Sequence, residues 1–370
     1  MKTALYQQVY DELRQRITTG QIDVGARLPG LEALASSFGV STITARKALD
    51  MLTADGLVMR RPRIGTLVVA ATPTLAAVPT AGPSLIGCVM TNYDDTFGTA
   101  LLSGVLEAAD GRADVVVKRS LGDLVREERA ISELVQLGAR GMIVLPTSSH
   151  QVPTAVLALT AQKYPMVIVD RSFDAVPVSA VSSDNFGGAK LATEYLIGLG
   201  HHHIGWLAPP SAISTVEDRH AGYVRAQAEH GIAYLASQEL TTLASVVPGA
   251  ADGMENDIEQ IDAFLAAHRD VTAYLASEYN LALLLATACR RRGLVVGTDV
   301  SVVCFDHPVT VFDPDHFIFS HVLQDQRALA RSAVDQLFAE IATPGEVCKH
   351  VVPVELRLGG STAPPGPRWP

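Results

Sequence analysis

Within the first seventy residues, Leu5, Val9, Leu13 and Ile17 stand four apart in a polar stretch. That spacing predicts one face of a helix over residues 5–19, ended by Gly20. A second short helix is predicted over residues 31–38, stopped by Gly39. Ser41 then caps a third over residues 42–54, with Ala45, Ala48, Leu49 and Leu52 inward and Gly56 closing it. Helix, glycine-containing turn and helix make a helix-turn-helix. Two β-rich runs, residues 57–60 and 66–69, flank Arg61-Pro62-Arg63-Ile64-Gly65, a hairpin wing with a basic tip.

The pattern changes after residue 84. Apolar strands are predicted at residues 85–90, 115–118, 141–145, 166–169, 204–208, 273–276 and 300–305. Between them, amphipathic helices are predicted at residues 100–109, 124–136, 187–199, 219–230, 258–268 and 280–292. Short apolar strands separated by helices imply parallel βαβ units and a doubly wound α/β sheet. Residues 70–83 carry no charge and three prolines and read as a linker. The expected organisation is a winged helix-turn-helix over residues 1–70, a linker over 71–83, a two-lobed ligand-binding and dimerisation domain over 84–360, and a tail over 361–370. The Gly- and Pro-rich end from Gly359 onward is expected to fray.

Composition sharpens this picture in three ways. The net charge of −10 hides an asymmetry. Residues 1–70 hold nine Lys/Arg against six Asp/Glu, and the remainder 20 against 33. A basic head on an acidic body suits a head that docks on phosphates. The four cysteines, Cys88, Cys289, Cys304 and Cys348, form no CxxC pair, so reduced thiols are expected, with neither zinc nor a disulfide framework. No apolar run approaches the roughly 20 residues that span a bilayer, and residues 1–11 lack a signal-peptide core, so the expected location is the cytoplasm, without membrane association.

The head resembles the GntR-type winged-helix domain. The resemblance rests on Leu5, Gly20, Gly25, Leu28-Pro29, Phe38-Gly39-Val40-Ser41, Thr44, Arg46, Ala48-Leu49, Leu52, Gly56-Leu57-Val58 and Gly65-Thr66, over about residues 4–69. Two departures stand out: Gly30-Leu31-Glu32 replaces the usual Ser-Glu-Arg, and Arg63 replaces the first glycine of the wing. The resemblance implies that the third helix enters the major groove of double-stranded operator DNA. Ser41, Thr42, Thr44, Arg46 and Lys47 would then contact bases or phosphates, and Arg61, Arg63 and Gly65 would serve at the wing.

The body resembles the effector domain of LacI-type repressors and periplasmic sugar-binding proteins. Its landmarks fall in order at residues 86–90, 141–146, 165–171, 184–188, 196–205, 219–223, 278–282, 301–306 and 324–325. A GntR-type head on a LacI-like body resembles the arabinose repressor branch. In a doubly wound sheet, ligands sit outside the carboxyl ends of strands. Asp95, Asp170, Arg171, Glu278 and Asp306 each come just after an apolar strand, so they are expected to meet at one cleft. The carboxylates would accept hydroxyls, while Arg171, Arg219 and Gln324 would donate. Tyr93 and Phe97 would either stack on the apolar face of a ring or pack the lobe. Mixed signs suit a neutral, hydroxyl-rich ligand, a monosaccharide for instance. Asp184 reads as a helix cap, and His201 in the run His201-His202-His203 reads as structural, with no metal ligand set around it.

Taken together, these features describe a sequence-specific transcription regulator, a homodimeric repressor controlled by a small sugar-like effector, with no cofactor. The alternatives are a GntR-type regulator of a non-sugar ligand and a ligand-binding protein without regulatory role. An enzyme is not expected: nucleophile elbow, Walker loop and dinucleotide fingerprint are all missing, and six lysines on a sugar-binding rhythm do not suit a pyridoxal enzyme.

Overall fold

The computed structural model describes residues 5–55, 57–61, 65–69, 84–93, 96–173, 175–210, 213–248, 250, 253–308 and 317–366. The expected roles of Gly56, Arg63, Asp95 and the linker therefore lie outside the described residues. The chain divides into two compact units, Met1–Ala81 and Gly82–Pro370.

In the first unit, α1 (Leu5–Thr18), α2 (Leu31–Phe38) and α3 (Thr42–Ala54) precede a hairpin of β1 (Val58–Arg61) and β2 (Gly65–Val68). The strands are antiparallel, with Arg61 opposite Gly65. Val9, Leu13 and Ile17 pack with Leu34, Ala45, Ala48, Leu49, Leu52, Leu57 and Val68 in one core. Leu5 does not join them and is largely exposed, because the first turn of α1 runs out beyond this core. Tyr10 takes up the buried face instead, and its hydroxyl donates to the Asp55 carboxylate.

The second unit starts as one lobe: β3 (Ser84–Met90), α4 (Thr96–Ala109), β4 (Ala113–Arg119), α5 (Leu124–Gln136), β5 (Met142–Val144), α6 (Thr154–Ala161), β6 (Met166–Val169) and β7 (Ser179–Ser183). The chain then crosses to a second lobe: α7 (Asn185–Gly198), β8 (Ile204–Leu207), α8 (Ser214–Glu229), β9 (Glu239–Leu240), α9 (Met254–Ala267), β10 (Ala273–Ala276), α10 (Tyr279–Arg291), β11 (Ser301–Phe305) and β12 (Ser320–Leu323). It returns to the first lobe for α11 (Gln326–Ala342) and β13 (Lys349–Val352), and crosses once more for β14 (Glu355–Arg357). Among the described residues, the first sheet runs β13-β7-β6-β5-β3-β4 and the second β14-β12-β11-β10-β8-β9. All neighbours are parallel except β12 and β14. Each sheet carries an apolar core on both faces, as a doubly wound sheet must.

Two expectations need correction. The helix read as starting at Arg219 begins at Ser214, so Arg219 sits in its second turn. The described part of the tail does not fray. The Val302 N–H donates to the Ser361 carbonyl at 2.8 Å, and the Ala363 N–H donates to Ser301 Oγ at 3.0 Å. His201 Nε2 lies 2.9 Å from the Ala363 carbonyl. The backbone of this Gly- and Pro-rich segment is thus satisfied by buried polar groups of the second lobe, which outweighs its low intrinsic propensity. Burial lowers the His201 pKa, partly opposed by that carbonyl.

Among the described residues, no helix is long and apolar enough to cross a membrane, and no cluster of three or more His, Cys, Asp or Glu could hold a metal ion. The four cysteines are free, with Cys88, Cys289 and Cys304 buried and Cys348 exposed.

Candidate functional site

The two lobes present equivalent aspartates. Asp170 directly follows β6 and Asp306 directly follows β11, and both have left-handed backbone, with φ of 68° and 61°. Aspartate tolerates this region better than most residues, yet the conformation still costs on the order of 1–3 kcal/mol. In each lobe the chain turns sharply at the carboxyl end of a buried strand and leaves a carboxylate there.

Within electrostatic reach of both aspartates is Arg219, carried by α8 and buried. Its Nε donates to Asn185 Oδ1 at 2.7 Å and its Nη1 to the Ser277 carbonyl at 2.6 Å. Its guanidinium carbon stands 3.9 Å from the Phe305 ring centroid. Burial pulls the Arg219 pKa below its usual value, while the charges of Asp170, Asp306 and Glu278 oppose the shift. The expected carboxylates Asp170, Glu278 and Asp306 are thus brought within electrostatic reach of one cation.

Asp306 is equally enclosed. Its two oxygens accept from Gln324 Nε2 at 2.6 Å and Gln326 Nε2 at 2.7 Å. Burial pushes its pKa up to about 6, against the pull of Arg219 and Gln324, and the nearby Asp170 charge adds to the rise. The buried atoms Gln324 Oε1, Ser277 Oγ and Ser183 Oγ have no protein hydrogen-bond partner among the described residues. Buried polar atoms are almost always paired, so three such atoms leave hydrogen-bonding capacity unused in this unit.

The remaining candidates have different settings. Glu278 stands at the start of α10 without capping it through its side chain. Arg171 lies beside Asp170, and its Nη1 donates to the Pro146 and Thr147 carbonyls, bracing the loop after β5. Tyr93 and Phe97 are half-buried against the apolar core of the first lobe, and the Arg119 guanidinium sits 5.1 Å from the Tyr93 ring centroid. Asp184 caps α7 by accepting the Gly187 N–H at 2.8 Å.

The lobes also touch at the start of α8. Ile213 offers that helix no side-chain cap. Ser149 of the first lobe does so instead: the Ser214 N–H donates to Ser149 Oγ at 2.9 Å. The Ser214 Oγ in turn accepts from Ser149 Oγ at 3.1 Å and from the Ser172 N–H at 3.2 Å. His150 Nε2 and Glu217 Oε1 are 2.7 Å apart at the same edge. The helix that carries Arg219 is therefore capped from the opposite lobe.

In the head, Ser41 is the N-cap of α3, with its Oγ 3.2 Å from the Thr44 N–H and 2.9 Å from Thr44 Oγ1. Thr42 and Arg46 are exposed on the same helix. Lys47 Nζ lies 3.8 Å from the Tyr6 ring centroid, a cation–π contact within the head. Gly65 has φ of 106°, a backbone conformation that favours glycine. Arg61 is placed by its backbone pairing with Gly65.

The head, residues 5–68, matches the family model described as bacterial regulatory proteins, gntR family, and residues 193–362 match a periplasmic binding protein-like domain. The chain is a transcription regulator with a GntR-type head and a periplasmic-binding-protein-like body. This regulator is 26% identical to the arabinose metabolism transcriptional repressor of Geobacillus stearothermophilus over 81% of each chain. It is 28% identical to the transcriptional regulator MalR of Streptomyces coelicolor over 91% of this chain and 98% of that one. Its fold matches the cellobiose complex of the regulator CelR with a TM-score of 0.65 at 20% identity, covering 90% of this chain and all of that one.

Sequence reasoning about this regulator missed Asn185, Ser277, Phe305 and Gln326. Asn185 and Gln326 open the first helix after two of the crossings between lobes, and no hydrophobic period marks a crossing. Ser277 was within reach of inference, since it directly follows the buried run Ala273–Ala276, one residue before Glu278.

Proposed function

We propose that the regulator is a repressor that holds operator DNA as a homodimer and lets go when a neutral, hydroxyl-rich ligand, such as a monosaccharide, enters the cleft between its lobes. The observation that carries this reading is the buried Arg219 among three carboxylates, together with the unpartnered Gln324, Ser277 and Ser183 oxygens. Adjacent hydroxyls both donate and accept, so they suit such a mixed set. An anion would meet an excess of carboxylates. The working parts are a head over residues 1–70, a linker over 71–83 and a sensor over 84–360 that also dimerises. The setting is the cytoplasm, and no catalysis is involved. The candidate ligand residues are Asp170, Arg219, Glu278, Asp306 and Gln324 with Asn185; Arg171, Tyr93 and Phe97 shape the first-lobe wall.

A thermal-shift panel of pentoses, hexoses and nucleosides tests the reading. One neutral member is expected to raise the melting temperature, since a ligand bound only by the folded sensor stabilises it. The same compound is expected to release the protein from DNA in a gel shift. A panel in which only acids or phosphate esters stabilise would overturn the ligand class.

The pH dependence follows from Asp306, whose pKa is raised to about 6. The folded chain holds that proton more tightly than the unfolded chain. The stabilisation from the protonated form is therefore full below the ordinary carboxylate range and is lost as pH rises through about 6. Ligand binding has the opposite sign, because a hydroxyl donates to the carboxylate and not to the acid. Calorimetric affinity is expected to be flat above neutral pH and about tenfold weaker one unit below the Asp306 pKa. A flat profile across that range would remove Asp306 from the ligand's contacts.

A further inference from the structure

The outer face of α3 carries a residue that the head does not use. Ile43 is 80% exposed, the most exposed large apolar side chain among the described residues. It lies in the first turn of α3, between Thr42 and Thr44, and takes no part in the apolar core of the head. Helical spacing puts Ile43, Arg46, Lys47 and Asp50 on one face, opposite the buried Ala45, Ala48, Leu49 and Leu52. An isoleucine fully in water gains nothing for the fold, and the neighbouring exposed positions of this helix are polar.

We propose that Ile43 is a specificity-determining residue that reads a thymine through its 5-methyl group in the major groove. This rests on the reading of α3 as the recognition helix. In a helix-turn-helix, the N-terminal residues of that helix reach the base edges. Thymine's methyl is the one apolar group that the major-groove floor presents. Ile43 has no donor or acceptor on its side chain, so it supplies apolar contact and nothing else. Arg46, one turn further on the same face, supplies the charged contact beside it. The pair specifies a base step in which a thymine lies next to the base or phosphate held by Arg46.

The test uses the full-length protein and a duplex recovered by in vitro selection from a random library. Each thymine is replaced in turn by deoxyuridine, which differs by the methyl group alone. One position per half-site is expected to weaken wild-type binding about fourfold, the worth of one buried methyl. Ile43→Ala is expected to weaken binding to the thymine duplex by a similar or larger factor. At that position it is expected to be indifferent to deoxyuridine. Its melting temperature should stay at the wild-type value, because the side chain is outside the core. The proposal is overturned if no thymine is methyl-sensitive, or if Ile43→Ala keeps the wild-type ratio at every thymine. A loss of self-association in Ile43→Ala without DNA, seen by sedimentation, assigns the side chain to a protein contact and overturns it as well. Arg46→Ala separates the two layers. If Arg46→Ala binds like wild type, the recognition-helix reading fails. If it loses binding while no methyl matters, only the role of Ile43 fails.

Discussion

Gly222→Ala is expected to destabilise the effector unit strongly and to disturb the site with it. Gly222 lies on α8 where that helix presses against α7. A Cβ there would stand 2.2 Å from the Phe186 carbonyl oxygen and 3.0 Å from the Lys190 backbone nitrogen. Both obstacles are backbone, so no rotamer change can make room, and the two helices must part. Overpacking of a core typically costs about 1–3 kcal/mol, and a rigid obstacle places this case at the upper end or beyond. The displacement also reaches the site. Arg219 lies one turn before Gly222 on α8, and its partner Asn185 opens α7, so separation of the helices stretches the 2.7 Å bond between them. Calorimetry should show the effector transition several degrees lower, with ligand affinity reduced. Gly198→Ala is the control. It sits at the last position of α7 with nothing within 4 Å of its added Cβ, and there alanine should be neutral or slightly stabilising. Equal melting of the two variants would show that α7 and α8 are not as closely apposed as the backbone places them.

The parts of this molecule that a reader of the sequence can find are those where one physical rule acts alone. The bounds of α2 and α3 follow from a glycine C-cap at Gly39, a serine N-cap at Ser41 and a regular apolar face. The strands β6, β8, β10 and β11 are short, wholly buried runs, and such runs announce themselves. β7 does not. Its sequence Ser179-Ala180-Val181-Ser182-Ser183 looks like a loop, although it lies inside the first sheet between β6 and β13. Ser179 is tolerated there because its Oγ accepts the Cys348 N–H at 2.9 Å, a partner 169 positions away. The described tail residues are the same kind of case, ordered by His201, just before β8, and Ser301 of β11.

The site divides along the same line. Asp170, Glu278 and Asp306 are legible because a charge after an apolar strand has one place to go in a doubly wound sheet. That Asp170 and Asp306 share a left-handed backbone is not legible, since aspartate at a strand end adopts several conformations. Nor does the sequence tell that Ser149 caps a helix of the other lobe, which depends on how close the two rims come. The exposure of Ile43 is not legible for a different reason. Between two threonines it looks like an ordinary helix residue, and only the position of the core relative to α3 leaves it in water.

Asp306→Asn is expected to give a repressor that is stable, grips DNA and ignores its effector. At neutral pH the wild-type carboxylate is ionised in a place that disfavours the charge, as its raised pKa of about 6 records. Asparagine fills nearly the same volume without that charge, so the variant should melt at or above the wild-type temperature. Its amide oxygen can still accept from Gln324 or Gln326, which keeps the chain near the crossing in place. Ligand binding has no such compensation. One of two strong acceptors becomes a donor, and a hydroxyl that gave its proton to the carboxylate finds an N–H. A lost charged hydrogen bond of this kind is worth about 1.5–3 kcal/mol, roughly ten- to a hundredfold in affinity. Arg219→Ala removes the same recognition by a harsher route. It deprives Asp170, Glu278 and Asp306 of their shared cation and leaves Asn185 Oδ1 and the Ser277 carbonyl without its donors. Stripping one partner from a buried charge cluster typically costs about 3–5 kcal/mol, so this variant should lose stability as well as ligand. The contrast is the informative part. Calorimetric titration with the effector, differential scanning and a gel shift without effector should separate the two variants on stability while uniting them on ligand loss and retained DNA binding. An Asp306→Asn protein that binds effector like wild type would return Asp306 to a purely structural role at the lobe crossing, and would move the ligand toward the Asp170 side of Arg219.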